Sequence, residues 1–173
     1  MTRIDFRKLD LRDALDLAIL IEEDAKERYE EFTRIVGGRY RGDASDVFRM
    51  MASNEAKHGA QLLERRRELF QDQPRRVNRE MIEETEAPDR GKPRTFMSAR
   101  QAVEVAISSE EKAHDFFDAA AREVTDPEVK RLFEDLRAEE ADHRRLLARR
   151  LQDYAPGPDV EEDEADEPGS DGG

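Results

Sequence analysis

Four stretches of the chain place an apolar residue at every third or fourth position, the spacing that keeps side chains on one face of a helix. In the first, Leu11, Leu15, Ala18, Glu22, Ala25, Tyr29, Phe32 and Val36 advance by four and three alternately. The second passes through Ala44, Phe48, Met51, Glu55, His58 and Leu62. The third runs Ala99, Val103, Ala106, Glu110, Ala113, Phe117, Ala120 and Val124, and the fourth Val129, Phe133, Leu136, Glu140, His143 and Leu147. A glutamate interrupts every stripe, and in two of them a histidine follows it three residues later.

Local signals set the ends of these helices. Asp10 can accept hydrogen bonds from the first free amides and Gly37-Gly38 stops the helix, which predicts Leu11 to Val36, with a second helix from about Ala44 to Phe70. Ser98 and Gln101 make a Ser-x-x-Gln capping box that opens the third. Asp126-Pro127 opens the fourth, the proline standing where a missing amide costs nothing. The two turns between consecutive helices are short, so each pair is expected to be antiparallel. Residues 71–97 hold three prolines and a glycine and predict at most a short helix from Arg79 to Glu84. A helix of about 26 residues is roughly 39 Å long, and a connection of this length can return along it. The second and third helices then become parallel neighbours, as in bundles with one long crossover. The first and third stretches match at an offset of 88 residues, "AILIEEDA" against "AISSEEKA", and the second and fourth at 85. The expectation is an all-α four-helix bundle over residues 1–155, made of two duplicated helical hairpins with the crossover at 71–97. Residues 156–173 are proline, glycine and acid, which predicts a disordered acidic tail.

Composition narrows the function. The 173 residues suffice for one domain with a real core. A charged fraction of 42% against 36% hydrophobic suits long helices with wide solvated faces. The absence of cysteine excludes disulfides, thiolate metal sites and iron–sulfur centres. A net charge of −13 argues against nucleic acid as a partner, although eight uncompensated carboxylates of that total stand in the tail. No apolar run approaches the roughly 20 residues of a membrane span, and "MTRIDFRKLD" lacks a signal-peptide core. A soluble, cytoplasmic protein is expected.

Duplication brings Glu22, Glu55, His58, Glu110, Glu140 and His143 to one level of one core. Four carboxylates taken out of water without compensation cost several kcal/mol per ion. Two divalent cations balance the four charges, and the histidines complete the set as neutral donors. A glutamate from each of two helices plus Glu-x-x-His from each of the other two is the ligand pattern of carboxylate-bridged di-iron and di-manganese bundles. Oxygen and imidazole together suit two iron ions or manganese, with zinc less demanding of the arrangement. Glu23, Glu111 and Glu139 stand one step off the stripes and read as flank charges. His114 has Lys26 as its counterpart in the first helix and reads as a surface histidine. Met50, Met51 and Met97 read as core filler. Tyr29 is either plain core or a hydrogen-bond partner of a ligand carboxylate, and its counterpart Phe117 cannot donate.

These motifs, Glu22 with Tyr29 seven residues on, Glu55-x-x-His58, Glu110 with Phe117 seven residues on, and Glu140-x-x-His143, resemble the rubrerythrin branch of the ferritin-like superfamily across residues 9 to 152. The resemblance implies Glu22 and Glu110 as terminal carboxylates, Glu55 and Glu140 as bridging ones, and His58 and His143 as one nitrogen ligand per metal. It also implies oxidation of a ferrous pair by dioxygen or hydrogen peroxide. The chain departs from rubrerythrins in having no cysteine for a rubredoxin centre, so a peroxidase would need a separate electron donor. It departs again at Ala113, where they carry a further glutamate. The expected function is a di-iron carboxylate oxidoreductase, a ferroxidase or rubrerythrin-like peroxidase, acting as a homodimer. Iron binding or delivery without turnover is the alternative. A bundle that has lost its metal and an oxygenase with an organic substrate are further readings.

Overall fold

A computed structural model describes residues 4–39, 41–82 and 93–154 of the chain. Among them stand four α-helices and no strand: α1 (Leu11–Val36), α2 (Ala44–Phe70), α3 (Ala99–Glu123) and α4 (Pro127–Leu151). Each begins at a side chain that takes up its free amides. Asp10 accepts from the Asp13 amide at 2.9 Å. Asp43, which periodicity does not single out, accepts from the amides of Ser45 and Asp46 at 3.0 and 3.2 Å. Ser98 and Gln101 cap each other reciprocally, and Asp126 serves α4. Gly37 ends α1 at φ 61°, a conformation that suits glycine. The short helix expected over 79–84 is a 3-10 turn, Arg79–Met81, with a second at Phe6–Lys8. The remainder of that segment from residue 83, and the tail 156–173, lie outside the described residues. No described helix is long and apolar enough to cross a membrane.

The helices pair as two hairpins, α1 with α2 and α3 with α4, and α2 packs on α3. The core lies in two apolar clusters at opposite ends of the bundle. One gathers the start of α1, the end of α3 and the start of α4, with Leu62 from α2. The other gathers the end of α1 with the starts of both α2 and α3, and Leu147 from α4. Because the starts of α2 and α3 meet in one cluster, the two helices run parallel, as the long crossover requires. The duplication extends to aromatic packing. Tyr29 stacks on Phe48 with centroids 6.1 Å apart at 29°, and their counterparts Phe117 and Phe133 stack at 6.0 Å and 30°.

The returning chain lies along α1. Arg76 holds Asp13 at 2.7 Å and also pairs with Asp10. Arg75 reaches Glu23 at 3.3 Å and Arg79 reaches Glu27 at 2.6 Å, while Val77 and Ile82 are buried beside them. The crossover therefore covers the side of α1 that faces away from the stripe, and every residue from Asp13 to Glu22 is buried. Leu17, Leu20 and Ile21 form a second apolar face there, which the single-stripe reading does not anticipate. Asp16, wholly buried, receives two hydrogen bonds from Arg66 of α2, at 2.7 and 3.2 Å. Arg66 also donates to the carbonyls of Gln71 and Gln73, joining α1, α2 and the first turn of the crossover.

Candidate metal centre

Between the two apolar clusters lies one polar layer. Glu22 and Glu110 enter it at corresponding points of α1 and α3, and Glu55 with His58 and Glu140 with His143 enter from α2 and α4. The three-residue spacing puts each Glu–His pair on one helix face. The six residues form two groups, Glu22–Glu55–His58 and Glu110–Glu140–His143, within each of which a ligand atom from every residue lies within 4.8 Å of the others. In the first, His58 Nδ1 is 3.8 Å from Glu22 and 3.7 Å from Glu55. In the second, His143 Nδ1 is 3.4 Å from both Glu110 and Glu140. The two imidazoles stack across the layer with centroids 4.6 Å apart and planes 3° from parallel.

Burial decides what this layer can do. All four glutamates are at most 2% exposed, and each carries one oxygen, Glu22 Oε2, Glu55 Oε1, Glu110 Oε2 and Glu140 Oε2, with no hydrogen-bond partner. A buried carboxylate oxygen without a partner costs on the order of 1–3 kcal/mol or more. Four of them converging on one layer is an arrangement that cations would satisfy. The charge state of the metal-free layer follows from the same burial. Glu22 is pushed well above its usual value by burial and by the neighbouring Glu55 and Glu140. Glu110 is likewise raised, by burial first, with His143 acting in the opposite sense. Glu140 is also penalised by burial, yet its contacts with His143 and Glu110 hold it below the usual range. His143 is raised to about 10 by Glu110 and Glu140. Two Glu–Glu–His groups, with four buried oxygens that lack partners, fit two metal ions.

The six residues expected as ligands come together in this layer. Tyr29 lies two turns along α1 from Glu22, 1% exposed, in the adjacent apolar cluster. His114 joins neither group and lies beside Asp115 at 3.1 Å. Glu23 pairs with Arg75 and Glu111 with Arg144. Met51 is buried core, and Met50 accepts a hydrogen bond from Arg150. Gly59, in α2, had no assigned part. An added Cβ there would lie 3.4 Å from Glu22 Cβ, which shows how closely α1 approaches α2 at this level.

The rubrerythrin family model matches residues 13–95 and 101–169, most of the chain. The chain belongs to the rubrerythrin family. A solved structure of an uncharacterized conserved protein from Magnetospirillum magnetotacticum is similar over 88% of this chain and all of its own, with 28% identity and a TM-score of 0.68. A hypothetical protein from Pyrococcus furiosus shares the fold at 21% identity over 86% of this chain and 94% of its own, with a TM-score of 0.54. So does the bacterioferritin-related protein from Bacteroides fragilis, described as a dodecameric thioferritin, at 23% identity, 84% and 88% coverage and a TM-score of 0.52. A search of curated proteins found no match. Family membership and the two carboxylate–histidine groups together point to a pair of metal ions, as in the ferritin-like bundles that carry this ligand pattern.

Proposed function

We propose that this chain is a di-iron oxidoreductase, with Glu22, Glu55 and His58 holding one ion and Glu110, Glu140 and His143 the other. The observation that carries the reading is the pairing of two duplicated Glu–Glu–His groups with four buried, unpartnered carboxylate oxygens in one layer. Membership of the rubrerythrin family supports bridging roles for Glu55 and Glu140, and terminal ones for Glu22 and Glu110. Two ferrous ions held there would supply the two electrons that reduce hydrogen peroxide to water, or half of those that reduce dioxygen.

The chain's own part is to bind and to manage protons. His143 carries its proton to about pH 10 in the metal-free layer, so loading has to displace it. The two apolar clusters close the layer above and below, and this exclusion of water strengthens every charge interaction inside it. With no cysteine, the sequence offers no rubredoxin-type iron, so turnover with peroxide draws on a separate donor. The dodecameric Bacteroides fragilis relative makes an oligomer the assembly to test, a homodimer being the simplest, and the cytoplasm is the proposed location.

Stopped-flow absorbance of the ferrous-loaded protein, mixed separately with dioxygen and with peroxide, tests the reaction. Both oxidants should oxidise the iron. Ala113, wholly buried where rubrerythrins carry a further glutamate, should leave peroxide without a large advantage. Peroxide faster by about a hundredfold would contradict that reading of Ala113. Inertness to both oxidants would leave binding or delivery as the function.

A further inference from the structure

The four glutamates are sealed from solvent, and only the histidines break the surface, His58 with 19% and His143 with 22% of its side chain exposed. A route to the carboxylates therefore passes an imidazole. The largest described cavity, about 610 Å³ along the outside of α4, touches none of the six residues. A second, of about 370 Å³, lies between α2 and α4 with His58 in its wall, and His143 lines none of the described cavities. Gln61 and Arg65 of α2 face Asp135, Ala138 and Glu139 of α4 across it. A cleft of this size admits several waters, and so a hydrated divalent ion.

We propose that this cleft is the entrance through which divalent metal ions reach the centre, with Asp135 and Glu139 as the residues that draw them in and His58 as the group that passes them inward. The proposal rests on the two-metal reading and adds a direction of approach to it. Asp135 and Glu139, four residues apart, stand on one face of α4. Neither forms a hydrogen bond or ion pair among the described residues, so both carboxylates are available to an incoming cation, with Arg65 the basic residue in the lining of the cleft. On its inner side the ring of His58 presents Nδ1 to the unpartnered Glu22 Oε2 at 3.8 Å. An ion leaving the carboxylate rim meets an imidazole and then a buried oxygen lacking a partner. Glu139 thus acquires a task that its position one step off the stripe concealed.

Cobalt(II) chloride mixed with metal-free protein in a stopped-flow instrument, followed by the visible absorbance of bound cobalt, tests the route without any turnover. Ala138→Trp narrows the cleft while leaving all six ligands in the sequence, and should slow uptake by at least about tenfold while the final content stays at two cobalt per chain. Asp135→Asn/Glu139→Gln removes only charge, and should slow uptake severalfold at low salt, the difference shrinking in high salt. Ala138→Trp loading two cobalt at the wild-type rate overturns the proposal and leaves the two-metal centre standing. If Ala138→Trp does not melt as a folded chain, the charge variant decides, and its loading at the wild-type rate at low salt overturns the proposal equally. A wild type that takes up no cobalt overturns the two-metal reading and the entrance together.

Discussion

Glu22 shows at one residue what the layer costs without metal. Its carboxyl is raised above the usual 4.5 by burial and by its acidic neighbours, so below 4.5 it is neutral in both folded and unfolded chains and its contribution to stability is complete. Above 4.5 the unfolded chain ionises while the folded one does not, and that contribution is lost as pH rises. Glu110 acts in the same sense. His143, raised from 6.5 to about 10, adds stability that is complete below 6.5 and lost between 6.5 and about 10. Glu140, held below 4.5, contributes stability that is lost only as pH falls below that range. The melting temperature of metal-free protein should therefore fall from about pH 5 to about pH 9, and Glu22→Gln should flatten the decline. A metal-free melting temperature that rises across this window would show that the layer is not a buried acidic one. Because metal binding releases protons, the gap between loaded and metal-free protein should widen as pH rises.

The elements are held by more than their stripes. Asp16 and Arg66 join α1 to α2 by a pair whose side chains are 0% and 7% exposed. Arg66→Met removes both hydrogen bonds to the buried Asp16 and leaves it only the longer ion pair with Arg75 at 3.6 Å, and should cost about 3 kcal/mol in urea denaturation. Asp16→Leu/Arg66→Met, which removes both charges, should recover most of that loss; a single variant within about 1 kcal/mol of wild type would show that the pair contributes no more than a surface one. Gly59→Ala replaces a glycine inside α2, and its Cβ meets Glu22 Cβ at ordinary contact distance. It should stabilise the metal-free chain by about 0.5–1 kcal/mol, and a destabilised variant would mean that α1 and α2 cannot yield at this level. Helix limits and stripes were legible in the sequence because Asp10, Ser98, Asp126 and the 3.6-residue period act within a few positions of where they stand. The metal candidates were legible because duplication set them in the stripes twice over. Asp16 with Arg66, and Arg75, Arg76 and Arg79 along α1, were not, because a charge paired with a residue some 50 positions away reads locally as a solvated flank. Leu17, Leu20 and Ile21 stand off the stripe of α1, and their burial depends on a crossover that lies some 50 positions away in sequence.

At the scale of the molecule, one polar layer divides the core in two, and two duplicated hairpins contribute equally to it. A fold that buries four carboxylates is under-stabilised until something balances them, so metal content and stability should be coupled. A metal that binds only the folded chain adds RT ln(1 + [L]/Kd), about 4 kcal/mol when free metal stands a thousandfold above Kd. Glu55→Gln/Glu140→Gln removes two ligands from the loaded layer and, at Glu140, a partner of His143 from the metal-free one. The most direct test is thermal melting of the wild type and of this double variant, each with ferrous iron under anaerobic conditions and with chelator. The wild type should melt many degrees higher with iron, and the double variant at nearly the same temperature in both conditions. A wild type indifferent to iron, or a double variant that keeps the full iron-dependent shift, would contradict a two-metal centre built on these glutamates.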